Sequence, residues 1–382
     1  MRKLNKSIFY YFILIPFLKP GYFETINILD NLFNVWRFLS SAIVISMYIK
    51  NNKVSKFVLT LLFFQFTLLL STLINSGDIV RWAMYTGMHL SIAMIIELSF
   101  KNNSNTLFLK VLYRLLSVII VINFILLIMY PNGIYLVAGE RGNFIDMDNL
   151  LAPTIISGVV FTMMYSYIVY NKLKKIPLLI IVISVLTIIY VWPATAVVAL
   201  FFGLTLTFIT IFMKKGTSLL NIRTYIISYV VFFITIIFYN RQGKLSFVIE
   251  NVLGKSITFS GRTIIWENYF HVMKQSFKSM FLGLGVQSSN VLYNPTFGKN
   301  THMHNEFFNV QIEGGILAVV FFIILIIMAA NRLFKNRNDK IVKILSAFLF
   351  SFLLLMSMEV FRNMGMFIAI LSFSYNNKRL HC

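Results

Sequence analysis

Between Gly261 and Gly315 the chain gathers side chains able to do polar chemistry: Arg262, Trp266, His302, His304, Asn305 and Glu306, with glycines at 283, 285, 314 and 315. A guanidinium is always charged and grips a phosphate through two parallel hydrogen bonds, so Arg262 is a candidate phosphate ligand. The other reading is a loop arginine reaching for lipid headgroups. In His302-Met303-His304-Asn305-Glu306 an imidazole titrating near neutrality could take a proton from an attacking hydroxyl. A pair of histidines bonded within a loop is the alternative. His-x-His is also half of a metal site, but a catalytic zinc usually has three protein ligands and only Glu306 is near in sequence, so no metal is assigned.

These residues interrupt an apolar chain, which must supply the elements that hold them. Of 382 residues 58% are hydrophobic and 12% charged, against roughly 25% charged in a soluble domain. The composition is that of a polytopic integral membrane protein. A net charge of +21 would suit nucleic acid if it were clustered on a soluble face. The basic residues instead lie in short loops between apolar runs, which points to a membrane and to no nucleic-acid partner. The one cysteine, Cys382, permits no internal disulfide and no cysteine metal cluster. Arg2, Lys3 and Lys6 precede an apolar run without a small-residue cleavage site, so that run is expected to stay as a first helix.

About 20 helical residues cross a bilayer core. Apolar runs at 7–23, 33–49, 57–74, 82–99, 111–130, 150–170, 177–191, 195–213, 224–239, 307–329, 344–358 and 361–376 predict an all-α protein of about twelve transmembrane helices in a single domain, 1–382. Pro193 divides one double-length run into a hairpin, and Pro16, Lys19 and Pro20 interrupt the first span. Most Lys and Arg fall in every second loop, beginning with the N-terminus. The positive-inside rule therefore predicts cytoplasmic termini and an extracytoplasmic segment 240–303 between spans nine and ten. Within the spans only Glu97, near a cytoplasmic end, and His89 stand out as ionisable.

Inside the long segment, residues 263–281 read as an amphipathic helix. Ile265, Tyr269, Val272, Met273, Met280 and Phe281 recur at helical spacing, opposite Glu267, His271, Lys274 and Lys278. Such a helix commonly lies at the membrane interface, with Trp266 near headgroups and lysines toward lipid phosphate. Two readings stay open: it plugs the top of the bundle, or it guides a lipid-borne anionic substrate.

Arg262 with Trp266, Gly283-Leu284-Gly285, His304-Asn305 with Phe307 and Phe308, and Gly314-Gly315 together resemble the carboxy-terminal signature of the Wzy-type polysaccharide polymerases and O-antigen ligases. The twelve-span plan with a large late external loop is similar to theirs and to the GT-C architecture of membrane glycosyltransferases. Arg141-Gly142-Asn143-Phe144 before Asp148-Asn149-Leu150-Leu151-Ala152 resembles a second external segment of that family, with Asp148 where a proline is frequent. Many members carry a Ser-Arg pair near the start of span eight. Here Trp192-Pro193-Ala194-Thr195 stands there, and no arginine is transferred.

The resemblance implies glycan transfer from undecaprenyl diphosphate on the outer face of the bacterial cytoplasmic membrane, without cofactor or metal. It implies diphosphate binding by Arg262 and Arg141, with Lys274 and Lys278 assisting. It further implies a base at His304, with Glu306 or His302 in reserve, and structural roles for Trp266, Gly285, Asn305 and Gly315. The expected function is polymerisation of lipid-linked oligosaccharide repeats for capsule, exopolysaccharide or O-antigen, with a flippase and a chain-length regulator as companions. The alternatives are a ligase that moves finished glycan to a terminal acceptor and, in another class, a flippase or transporter.

Overall fold

Apolar patterning becomes helix along most of the chain. A computed structural model describes residues 3–51, 53–137, 140–212, 221–234, 262–287, 303–361 and 364–376, and the fold is all-α, about 81% helical. The helices are α1 (Lys3–Leu14), α2 (Asn27–Asn51), α3 (Lys56–Ile74), α4 (Ile79–Lys101), α5 (Asn105–Met129), α6 (Ala152–Tyr170), α7 (Lys175–Val191), α8 (Ala194–Ile211), α9 (Ile222–Ile234), α10 (Arg262–Lys274), α11 (Phe277–Leu282), α12 (Glu306–Lys335), α13 (Lys340–Met356) and α14 (Met364–Asn376). Among the described residues seven of them, α2 to α6, α8 and α12, are long and apolar enough to cross a membrane.

Local chemistry sets the boundaries. Ser55 and Asp78 cap α3 and α4 by accepting the amides of Val58 and Arg81, and Asp339 caps α13 through the amides of Ile341 and Val342. Each cap satisfies a helix-end N–H that would otherwise lack a partner. α7 ends where Trp192 turns left-handed (φ 55°), and Pro193 precedes α8, the break that the sequence places there. The first run, expected at 7–23, is broken: α1 stops at Leu14 and continues as 3₁₀ turns over Ile15–Leu18 and Gly21–Thr25. Pro16 and Pro20 cannot donate the next helical hydrogen bonds.

α12 lies centrally, packed along α3 and against α14, while α8 packs on α13, α2 on α4 and α5 on α6. Phe322 of α12 stacks 5.7 Å from Phe64 of α3 and also meets Phe307 and Phe367. One end of the bundle gathers the lysine-rich loops. There the hydroxyls of Tyr48 and Ser55 donate to Glu97, and Lys340 donates to the Asn171 carbonyl. Glu97 thus ties α2, α3 and α4 together. The opposite end carries the polar machinery. Between α5 and α6 it has a two-stranded hairpin, β1 (Tyr135–Val137) with β2 (Glu140–Gly142), and the segment after it docks on the first turns through Gly21 N–H to the Ile145 carbonyl, 2.6 Å.

The stretch expected as one amphipathic helix, 263–281, is two, because Ser276 starts α11 by accepting the amide of Lys278. Its apolar face meets protein: Ile265, Trp266, Tyr269, Val272 and Met273 form a small core with Met303, Ile312 and Met358. Trp266 is 2% exposed, so it is a core residue, not the headgroup anchor that the pattern suggested. The indole is held by its N–H donating to the Met303 carbonyl, 2.8 Å.

Candidate functional site

The start of α12 organises the site. Asn305 caps it, its Oδ1 accepting the Phe308 amide at 3.1 Å, and its Nδ2 donates to the Ser357 carbonyl at 3.0 Å. A single buried amide therefore fixes the start of α12 to the end of α13. Glu306 accepts the Phe361 amide at 2.7 Å, which draws the loop after α13 around the same point. His304, just ahead of the cap, adopts the left-handed region (φ 47°), which histidine tolerates better than most residues. Its side chain is turned to a carboxylate that the sequence did not single out, Glu359.

Glu359 is 3% exposed and is shared. One oxygen accepts from Arg262 Nη2 at 2.5 Å, and the other lies 3.7 Å from His304 Nδ1. Burial pushes this carboxyl up, but the charge of Arg262 and the contact with His304 outweigh it and hold the group below the ordinary carboxylate value. A buried carboxylate facing an imidazole nitrogen orients the ring. Facing a guanidinium, it also fixes where that charge sits.

Arg262 reaches Glu359 because α10 is anchored by its aromatic face. The Tyr269 ring stacks on Phe308 of α12 with centroids 4.3 Å apart, and its hydroxyl donates to Gln311. Glycines supply the rest of the seat. α12 kinks at Gly315 (φ 71°), where a Cβ would lie 2.0 Å from the Phe281 carbonyl oxygen. Into that kink comes the turn after α11: Gly283 is left-handed, and the Leu284 amide donates to the Ile312 carbonyl at 2.6 Å. Gly285 continues against α3, a Cβ there meeting Thr72 Cα at 2.9 Å. Gly285 and Gly315 are thus close-approach positions where only glycine fits.

Beside the cluster a cavity of about 630 Å³ opens between α3, α4 and α12, and Glu306 and Phe361 form part of its wall. Glu313, Asn309, Arg81, Trp82, Tyr85 and His89 also line it. Glu313 corrects the expectation that Glu97 and His89 are the only ionisable groups of note in the spans. It lies seven residues into α12, on the cavity side, with Asn309 Nδ2 donating to it at 3.3 Å.

Other expected site residues fall elsewhere. Arg141 is committed to the hairpin: its Nε contacts both oxygens of Asp148 at 3.1 and 3.0 Å, and its Nη1 donates to the Pro131 carbonyl at 2.7 Å. Lys274 and Lys278 are exposed. Lys274, twelve residues along α10 from Arg262, is displaced about 18 Å along its axis at 1.5 Å per residue, too far to share one diphosphate. His302 lies outside the described residues. Among the described residues no group of three His, Cys, Asp or Glu could hold a metal ion. Arg262, His304, Asn305 and Glu306 are brought together. Glu359, Glu313 and Arg81 join them only through the fold, since Arg262 and Glu359 are 97 residues apart. Compared with models of known protein families, with curated proteins and with solved structures, the chain matches none.

Proposed function

We propose that the chain is a glycosyltransferase of the bacterial cytoplasmic membrane that polymerises oligosaccharide repeats carried on undecaprenyl diphosphate. The observation that supports this reading is Glu359, one buried carboxylate touching both a guanidinium and an imidazole, next in the chain to Val360 and Phe361, which line the cavity. In the proposed arrangement twelve helices cross the bilayer with both termini in the cytoplasm, and Arg262, His304 and Glu359 face outward.

In the reaction a hydroxyl of one repeat attacks the anomeric carbon of the sugar at the reducing end of another chain. The new C–O glycosidic bond forms as the bond to the diphosphate breaks, with inversion at that carbon. The electron pair leaves with undecaprenyl diphosphate. Arg262 stabilises the charge that develops on the departing phosphate, and His304 takes the hydroxyl proton, Glu359 holding the ring and stabilising the imidazolium. Neither a metal nor a nucleotide sugar has a step to perform. Glu306, bonded to the Phe361 amide, is the reserve base.

Gel profiling of surface glycan in a deletion strain tests the reading. A single repeat on the normal terminal acceptor is the expected result. Full-length glycan stranded on undecaprenyl diphosphate would instead identify a ligase. The polar cavity, with Glu313 and His89 among apolar helices, favours a carrier as the second reading; translocation of labelled lipid-linked repeats with unchanged glycan length would establish it.

A further inference from the structure

The cavity between α3, α4 and α12 holds polar groups that the reaction at Arg262 and His304 leaves unused. Gln65 is the clearest pointer. Its Oε1 accepts from the Thr86 hydroxyl at 2.8 Å, so its Nε2 faces His89 Nδ1 at 3.1 Å and donates to it. That bond places the ring proton of neutral His89 on Nε2. His89 is 6% exposed, and its Nε2 has no hydrogen-bond partner among the described residues. An orphaned buried donor is costly when nothing accepts from it, so a ligand oxygen reaching His89 Nε2 would be stabilised.

Arg81 offers the second donor. Its backbone N–H is bound by the Asp78 cap and its guanidinium lies 5.7 Å from the Tyr85 ring centroid, with no ion pair among the described residues. Glu313 offers the acceptors, of which one oxygen takes a bond from Asn309. Trp82 and Tyr85 supply aromatic surface, the indole fixed by its N–H donating to the Gln65 carbonyl at 3.0 Å. Vicinal hydroxyls donate and accept in the plane of a carboxylate or guanidinium, and the C–H face of a pyranose ring packs on an aromatic ring. About 630 Å³ lies within the roughly 300–1,000 Å³ of small-molecule sites.

We propose that this cavity binds a sugar of the acceptor repeat, with Glu313, Arg81 and His89 reading its hydroxyls and Trp82 or Tyr85 carrying its apolar face. The binding site is argued from the cavity alone, whereas the role as acceptor rests on the polymerase reading. Glu306 and Phe361 are shared by the cavity wall and the catalytic end of α12, so a sugar bound here would lie beside the segment that carries His304.

The test uses the full chain in lipid nanodiscs and two probes: oligosaccharide released by partial acid hydrolysis of the host's surface polysaccharide, and undecaprenyl phosphate. Saturation-transfer NMR reads binding, and turnover of lipid-linked repeats is measured in parallel. Oligosaccharide should bind wild type, and Glu313→Gln and Arg81→Gln should weaken it at least about tenfold, the effect of losing about 1.4 kcal/mol, at unchanged melting temperature. The same variants should raise acceptor KM more than they lower kcat. His89→Phe, which keeps the ring and removes the donor, should do likewise. Oligosaccharide binding that depends on Glu313 without any polymerisation upholds the sugar site and overturns the polymerase reading. Polymerisation with wild-type acceptor KM in all three variants overturns the sugar site alone, as does absence of oligosaccharide binding. Loss of undecaprenyl phosphate binding in Arg81→Gln, with oligosaccharide binding intact, would make the cavity a lipid-phosphate site and overturn the proposal.

Discussion

Two arginines with the same expected task end in different surroundings. Arg141 lies against Asp148 and donates to the Pro131 carbonyl, in a hairpin where both side chains remain partly exposed, 23% and 31%. Arg262 meets Glu359, whose side chain is 4% exposed and which also faces His304. The first pair closes a loop and has its hydrogen bonds taken up by protein. The second places a fixed positive charge, a buried carboxylate and an imidazole within one contact chain beside a cavity. An arginine and an acid in the same polar stretch therefore say little until burial and the third partner are known.

Arg262→Ala should give the largest effect. It leaves Glu359 as a buried carboxylate with only the His304 imidazole beside it, and breaking one partner of a buried pair costs about 3–5 kcal/mol, so both thermal stability and polymer should be lost. Arg262→Ala with Glu359→Leu separates the two consequences: much of the melting temperature should return while polymerisation stays absent. Arg262→Lys keeps the charge but not the fork of donors, and glycan profiles should still show a severe loss at normal membrane abundance. Gly315→Ala comes next, since its Cβ would meet the Phe281 carbonyl at 2.0 Å in a left-handed backbone. A fall of several degrees in melting temperature is expected, with faster proteolysis of the 277–287 region.

His304→Asn keeps a side chain suited to the left-handed backbone and removes the base. Turnover should drop roughly 10²–10⁴-fold at nearly unchanged stability. A milder signature comes from pH. The carboxyl of Glu359 is held below its ordinary value of 4.5 in the folded protein, so its contribution is fully present above that value. It is lost as pH falls through the depressed folded value. Wild type should lose melting temperature on acidification below 4.5 more steeply than Glu359→Gln. Smallest of all should be Arg141→Ala, worth about 1 kcal/mol or less for a partly exposed pair, and Lys274→Ala with Lys278→Ala, within about 0.5 kcal/mol. A collapse of activity in the Arg141 variant equal to that of Arg262→Lys would erase the distinction between the two pairs.

Much of the fold is legible in hydropathy because one-dimensional apolar runs are what a bilayer selects. The break at Pro193 and the caps at Ser55, Asp78 and Asp339 are equally local. The first run fails because two prolines four residues apart end a helix whatever its apolarity. Trp266 was misplaced for a different reason. An apolar helical face is the same pattern whether it meets lipid or protein, and only Met303, Ile312 and Met358, distant in sequence, decide which. The site divides along the same line. His304, Asn305 and Glu306 are adjacent in the chain, and Gly285 and Gly315 stand out as glycines, although their meeting across the α12 kink does not. Glu359 follows an apolar run with no neighbour pointing to Arg262, and Glu313 looks like a lone acid near a span end until α3 and α4 enclose it.

The most direct test of the account is elongation of radiolabelled undecaprenyl-diphosphate-linked repeats by the purified protein in proteoliposomes, comparing wild type with Arg262→Lys and His304→Asn at equal abundance and equal melting temperature. The expected result is a ladder of products from wild type, and from both variants only the starting single repeat. Absence of any ladder from wild type, or ladders of equal length and rate from all three proteins, would contradict it.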